Sequence, residues 1–298
     1  MDSAKKLAGE DRFKETSFLL GCQGPDILFY HRLISLNGKD NLQDFGHQIH
    51  RDHPSRFLAS LKRSVENCGR ELHDFAHSYA LGMCCHYAYD TCAHPYICQL
   101  TDYMSKNDGR GSNYSYHALI ESALDTIMWR YETGGLISDL RLGKCVRFEK
   151  EDAEAIAHIY SAALRDIYRK IVPQKQAMQL AGDMRTLFRV LDDPLSMRLP
   201  LVMKLEQLLK KNTGPMSAYM RPLMEDDLYD YANIAHEEWH NIMNDEERSS
   251  EDFFEITERA EKRTGEVMVF FVASEGTEKD FAEFTLERSF SNNADEEK

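Results

Sequence analysis

The stretch His86-Tyr-Ala-Tyr-Asp90-Thr-Cys-Ala-His94-Pro95, followed 27 residues after Asp90 by His117-Ala-Leu-Ile-Glu121, decides how this chain is read. It places five good metal ligands inside one predicted pair of helices. Two residues four apart on a helix leave from the same face. His86 with Asp90, and His117 with Glu121, therefore form two-toothed clamps, one from each helix, and facing each other they would hold a metal cluster. Imidazole mixed with carboxylate suits zinc or iron, and a carboxylate can bridge two ions.

The ordinary alternative is a pair of solvated helix faces, and the phase of the apolar residues argues against it. In residues 71–93, Phe75, Tyr79, Gly82, Met83, His86 and Asp90 share one face at the 3, 4, 7 spacing, and that face is mostly apolar, hence inward. Tyr114, His117, Glu121, Leu124 and Met128 share a face of the second helix in the same way. Burying an ionised carboxylate without a partner costs several kcal/mol, roughly the whole stability of a small domain. A compensating charge is implied: a metal, or failing that a buried network of histidine–carboxylate hydrogen bonds. Pro95 disfavours helical geometry at His94, so the helix is expected to end near Cys92 and leave His94 on a turn.

Nine of the twelve histidines lie at or before His117, which assigns metal chemistry to the N-terminal half. Residues 17–34 are an apolar run broken by Gly21, Gly24 and Pro25, with Asp26 at the break. That carboxylate is either an N-cap or a ligand delivered from a loop. Residues 45–54 offer His47, His50 and His53, of which one or two at most can face inward; His53 precedes Pro54 and should end its element.

The rest reads as helix by its 3.6-residue period, over 54–68, 71–93, 115–131, 149–171, 174–191, 200–211, 228–243 and 251–272. Turn-rich connections fall at 107–111, 133–135 and 212–215. No series with period two is convincing; 267–273 continues the last helix rather than forming a strand. The expected fold is all-α, and residues 291–298 form a polar, disordered tail.

Composition removes several function classes. Residues 1–16 lack an apolar targeting core, and no run approaches the ~18–20 apolar residues that cross a bilayer, so a soluble, cytoplasmic chain without a transmembrane segment is expected. Seven cysteines without a Cys-x2-Cys pair read as reduced thiols, with Cys84, Cys85, Cys92 and Cys98 as small buried hydrophobes. A net charge of -14 argues against a nucleic-acid scaffold as partner. Nothing in the sequence sets the oligomeric state. There is no GxGxxG, P-loop or Gly-x-Ser-x-Gly turn.

Taken together, the His-x3-Asp pair, the following His94 and the His-x3-Glu pair resemble the hallmark of the zinc-dependent phospholipase C-like proteins, relatives of bacterial phospholipase C and of zinc nucleases that cut single strands. Gly24-Pro25-Asp26 is similar to the family element whose Asp joins the cluster, and residues 45–50 to the segment that supplies another histidine. The resemblance covers roughly residues 17–130. It implies a single all-α domain over 1–290, with a metal-binding half at 17–131 and a helical half at 149–275. It also implies one metal held by Asp26, His50, His86 and Asp90, and a second held by His94, His117 and Glu121. A third ion in the family needs a histidine near the N-terminus, and the first histidine here is His31. Two zinc ions are thus expected, three being the alternative, and iron the alternative metal.

The chemistry implied is phosphodiester hydrolysis by a metal-activated water, with Asp26 orienting or deprotonating that water and a phospholipid or other phosphodiester as substrate. Tyr79, Tyr87, Tyr116 and Phe45 could line a pocket, although core filling is their ordinary role. Two rivals remain at this stage. One is an HD-type phosphohydrolase built on His73-Asp74, which leaves His94, His117 and Glu121 without a task. The other is a helical interaction protein with a structural or degenerate metal site. His158, and His236 with His240 four residues on, read as helix-surface or packing residues.

Overall fold

The computed structural model describes residues 1–33, 41–108, 113–209, 216–220 and 229–291. The expected turn at 212–215, most of that at 107–111, residues 292–298 of the expected tail and the side chain of Tyr114 lie outside the described residues. The helices are α1 (Asp2–Ala8), α2 (Glu15–Gly21), α3 (Gln43–Arg51), α4 (Pro54–Asn67), α5 (Arg70–Asp108), α6 (Asn113–Thr133), α7 (Leu142–Cys145), α8 (Lys150–Tyr168), α9 (Gln174–Ala177), α10 (Leu180–Leu191), α11 (Leu199–Leu209), α12 (Phe253–Ala273) and α13 (Glu278–Thr285). Among the described residues a single antiparallel hairpin joins β1 (Trp239–Asn241) to β2 (Asn244–Ser249). The all-α expectation holds, and no described helix is long and apolar enough to cross a membrane.

The chain divides into two compact units. The first comprises Met1–Cys92, Val146–Leu187 and Arg259–Lys298. In it α4 packs against α8 and α13, and α3 packs against a 3-10 turn at Gly24–Leu28. Helix α2 meets α5 backbone to backbone. A Cβ on Gly82 would collide with the Phe18 carbonyl and the Cys22 nitrogen, and one on Gly21 with the Tyr79 carbonyl. Only glycine permits that approach. Thr16 and Ser17 of α2 also donate to the buried Asp152, which caps the Glu149 N–H at the start of α8.

The second unit comprises Ala93–Cys145 and Phe188–Glu258. In it α6 packs on a 3-10 turn at Met216–Tyr219. The Tyr96 hydroxyl donates to the Tyr231 carbonyl at 2.7 Å, and its ring meets Trp239 and Phe253.

Five sequence expectations change. Helix α5 does not end near Cys92; it runs through Pro95 to Asp108, so His94 is helical rather than on a turn. An interior proline costs ~3 kcal/mol. Continuing the helix buries Tyr96, Ile97 and Met104, each contributing about 1.5–3 kcal/mol, which outweighs the break. Nor is α5 inward on one face alone: between Ala76 and Cys98 it is buried on nearly every side. From residue 229 onward, the expected helix at 228–243 is instead irregular chain leading into the hairpin. Asn233 adopts a left-handed φ of 54° and bonds the Glu237 and Glu251 carbonyls, while Asn241 accepts the Met243 N–H. Such side chains compete with helical hydrogen bonding. The 174–191 helix is interrupted between α9 and α10. Cys84, Cys92 and Cys98 are buried as read, but Cys85 is half-buried and hydrogen-bonded to Cys22, which holds its thiol down at about 7.

Gly82→Ala is expected to lower stability by about 3 kcal/mol, since rigid backbone stands where the methyl would go. Gly265→Ala, in α12 with open space around it, should raise stability by about 0.5–1 kcal/mol. Thermal melts of the two variants should therefore move in opposite directions, and a neutral Gly82→Ala would contradict the close helix crossing.

Candidate metal centre

In the first unit four acceptor side chains converge. His50 Nε2 lies 3.0 Å from Asp26 Oδ1 and 3.9 Å from Asp90 Oδ2, and His86 Nε2 lies 3.0 Å from the same Asp90 oxygen. Donor atoms of Asp26, His50 and His86 all fall within 4.8 Å of one another. Each residue is delivered by a different local device. Asp26 is the third residue of the 3-10 turn, whose cap position is Gln23, so the N-cap reading of Asp26 does not hold. His50 sits in the last turn of α3, and His86 and Asp90 occupy successive turns of α5.

Two backbone carbonyls settle which face of each imidazole points inward. His50 Nδ1 donates to the Gly46 carbonyl at 2.8 Å, and His86 Nδ1 donates to the Cys22 carbonyl at 3.2 Å. With Nδ1 carrying the proton, each neutral ring presents its Nε2 lone pair toward a carboxylate oxygen. Lone pairs about 3 Å apart repel unless a cation lies among them, either a proton on each ring or a metal. Two nitrogens and two carboxylates match the coordination number and ligand types of zinc, and a carbonyl behind each ring is the usual outer support of a metal-binding histidine. The residues present thus fit the ion.

Glycines make the arrangement possible. A Cβ on Gly24, whose φ is +54°, would fall inside the His86 ring, and one on Gly46 would strike Phe29, the ring stacked 5.3 Å from His50. Behind the turn, Tyr79 donates to the Tyr160 hydroxyl at 3.1 Å, which donates to the Gly24 carbonyl at 2.8 Å. Burial raises both phenols far above their ordinary range, so they remain donors. Sequence reasoning missed Tyr160: it lies 136 residues from Gly24, and no local pattern links them.

In the second unit His94 of α5 meets His117 and Glu121 of α6. Glu121 Oε1 lies 3.1 Å from His117 Nε2 and 3.8 Å from His94 Nε2, and the two rings are 5.4 Å apart. Burial pushes the Glu121 carboxyl up, but the charges and hydrogen bonds of His117 and His94 push it further down, to well below the ordinary carboxylate range. Three donors are one fewer than the four that zinc usually takes. Glu121 keeps 43% of its side chain exposed.

The other histidines fall elsewhere. His73 pairs only loosely with Asp74 at 3.5 Å and joins no convergent donor group among the described residues. His47 and His53 are exposed, which leaves His50 as the inward member of its trio. His158 donates to the Ser64 carbonyl. His236, in a left-handed turn rather than on a helix, gathers with Asp252 and Glu255, but those two carboxylates accept each other's backbone N–H at the start of α12 and are explained by capping. Tyr79, Tyr87 and Tyr116 are buried, as core filling requires.

Residues 2–177 match the family model for zinc dependent phospholipase C. That span is more than half of the chain and includes all seven residues of the two groups, so the chain belongs to this family, one of zinc-dependent hydrolases. No curated protein and no solved structure matches it.

Tyr160→Phe would leave the Gly24 carbonyl without its donor and Tyr79 without its acceptor, so a loss of about 2 kcal/mol is expected in urea denaturation. Tyr103→Phe, at an exposed position, is the control and should leave the midpoint unchanged. Equal midpoints for the two variants would contradict the supporting role of Tyr160.

Proposed function

We propose that this chain hydrolyses phosphodiesters, with a phospholipid as the leading substrate and a nucleotide or other phosphodiester next. In this reading zinc is held by Asp26, His50, His86 and Asp90 in one group and by His94, His117 and Glu121 in the other. The observation that supports it most is the convergence of lone pairs at His50, His86, Asp26 and Asp90, with both Nδ1 donors already committed to carbonyls. When bound, zinc lowers the pKa of a water toward neutrality and draws charge from a phosphoryl oxygen.

The chain's own residues then divide the work. The Gly46 and Cys22 carbonyls hold the two imidazoles in one tautomer. Asp90 touches both rings and fixes their spacing. Asp26 keeps 34% of its side chain exposed against 14% for Asp90, so it is the carboxylate placed to meet solvent and to take the proton of the attacking water. In the second group His94 and His117 would give neutral imidazole nitrogens to the ion and Glu121 its carboxylate.

The test is turnover of a nitrophenyl ester of phosphorylcholine and of a nucleotide ester, before and after chelation and after zinc is restored. Activity should vanish with the chelator and return with zinc. Asp90→Asn should reduce kcat/KM by about 100-fold, while Asp74→Asn, outside both groups, should stay within about twofold of wild type. A zinc-loaded chain inert toward both esters would replace this reading with a binding role, and loss of activity in Asp74→Asn alone would favour the HD assignment.

A further inference from the structure

We propose that Phe290, carried on a C-terminal strap, is a positioning residue for the His50 and His86 imidazoles; the inference rests on the metal reading above. The strap lies beyond residue 177, outside the part of the chain matched to the family, so family membership assigns it no role.

The strap is a built element. After α13, Leu286 and Glu287 adopt left-handed φ values of 51° and 55°, a conformation disfavoured for such side chains and kept only where surroundings enforce it. The enforcing contacts are visible. Glu287 accepts the Ser55 hydroxyl at 2.6 Å at the start of α4, and Tyr87 of α5 donates to the Arg288 carbonyl at 2.8 Å. Ser291 then donates its backbone N–H and its hydroxyl to the His50 carbonyl, at 3.1 and 3.2 Å. Ser291, expected from sequence to begin a disordered tail, is thus tied to a candidate ligand.

Between these anchors Phe290 is fully buried. Its ring centroid lies 5.6 Å from that of His50, 5.9 Å from His86, 4.9 Å from Tyr87 and 6.1 Å from Phe57. Phe29 stacks on His50, and Gly24 lies against the His86 ring. Hydrogen bonds through Nδ1 restrain each imidazole within its plane; apolar contact of this kind restrains its tilt. A smaller side chain at 290 would let both rings tilt and would spread the directions of their Nε2 lone pairs, and outer contacts of this sort commonly govern metal affinity by 10–100-fold.

Coupling of this kind is reciprocal. Whatever the strap contributes to zinc binding, zinc returns to the strap.

The experiment measures zinc affinity by chelator competition for the full-length wild type, Phe290→Leu and Phe281→Leu. Phe281 is an equally buried phenylalanine that packs on Phe270 and Phe271 and serves as the control for general destabilisation. Amide exchange at Ser291 is followed in the wild type with and without zinc. Phe290→Leu should weaken zinc binding at least about tenfold, with an altered visible spectrum for the cobalt-loaded form, while Phe281→Leu stays within about threefold of wild type. Zinc should slow exchange at the Ser291 amide by about tenfold. Equal losses in the two variants, or Phe290→Leu within about threefold of wild type, would overturn the proposal. Should Phe290→Leu not fold, the wild-type exchange decides alone: a Ser291 amide indifferent to zinc overturns the role of the strap. A wild type that binds no zinc contradicts the metal reading itself, before any variant is made.

Discussion

Two imidazole N–H groups, each committed to a backbone carbonyl, set the terms for the rest of the first unit. With His50 donating to Gly46 and His86 donating to Cys22, each neutral ring keeps only an acceptor at Nε2, and Asp26 and Asp90 bring further acceptors to within 3.0 Å. Like polarity at that range in a poorly solvated place is sustained only by a cation. The surrounding architecture holds the arrangement together. Glycines let one ring lie on backbone and another on Phe29, and the Tyr79–Tyr160 relay fastens the turn that bears Asp26.

Helix α5 is the common source of candidate ligands. It carries His86, Asp90 and His94 at four-residue steps and continues through Pro95, so that His94 is presented from a helix. A helix that stopped near Cys92 would have delivered His94 by a loop, with a looser rotamer. The burial of Tyr96, Ile97 and Met104 that carries α5 past the proline therefore also fixes how His94 is presented.

Much of this was legible in the sequence because helical period is a local property. The His86/Asp90 and His117/Glu121 pairs follow from spacing alone, and the structure places each pair with its nitrogen and oxygen about 3 Å apart. Asp26 and His50 were harder: spacing left Asp26 open between cap and ligand, and the family resemblance favoured the ligand. What escaped was non-local or governed by side-chain competition. Tyr160 reaches Gly24 across 136 residues and Ser291 reaches His50 across 241, distances at which no periodicity survives. The hairpin replaced an expected helix because Asn233 and Asn241 satisfy backbone groups with their own amides, which a count of apolar positions does not register. Pro95 misled for the opposite reason, since a strong local preference lost to tertiary burial.

Under the proposed function the two donor groups hold divalent ions rather than protons. Elemental analysis after zinc-replete expression and removal of loosely bound metal tests it most directly. About two zinc ions per chain are expected, released together with a fall in thermal stability when the protein is stripped by chelator. Fewer than about one equivalent of any divalent metal, with unchanged stability after chelation, would contradict it and leave imidazolium–carboxylate pairs as the cation that the geometry requires.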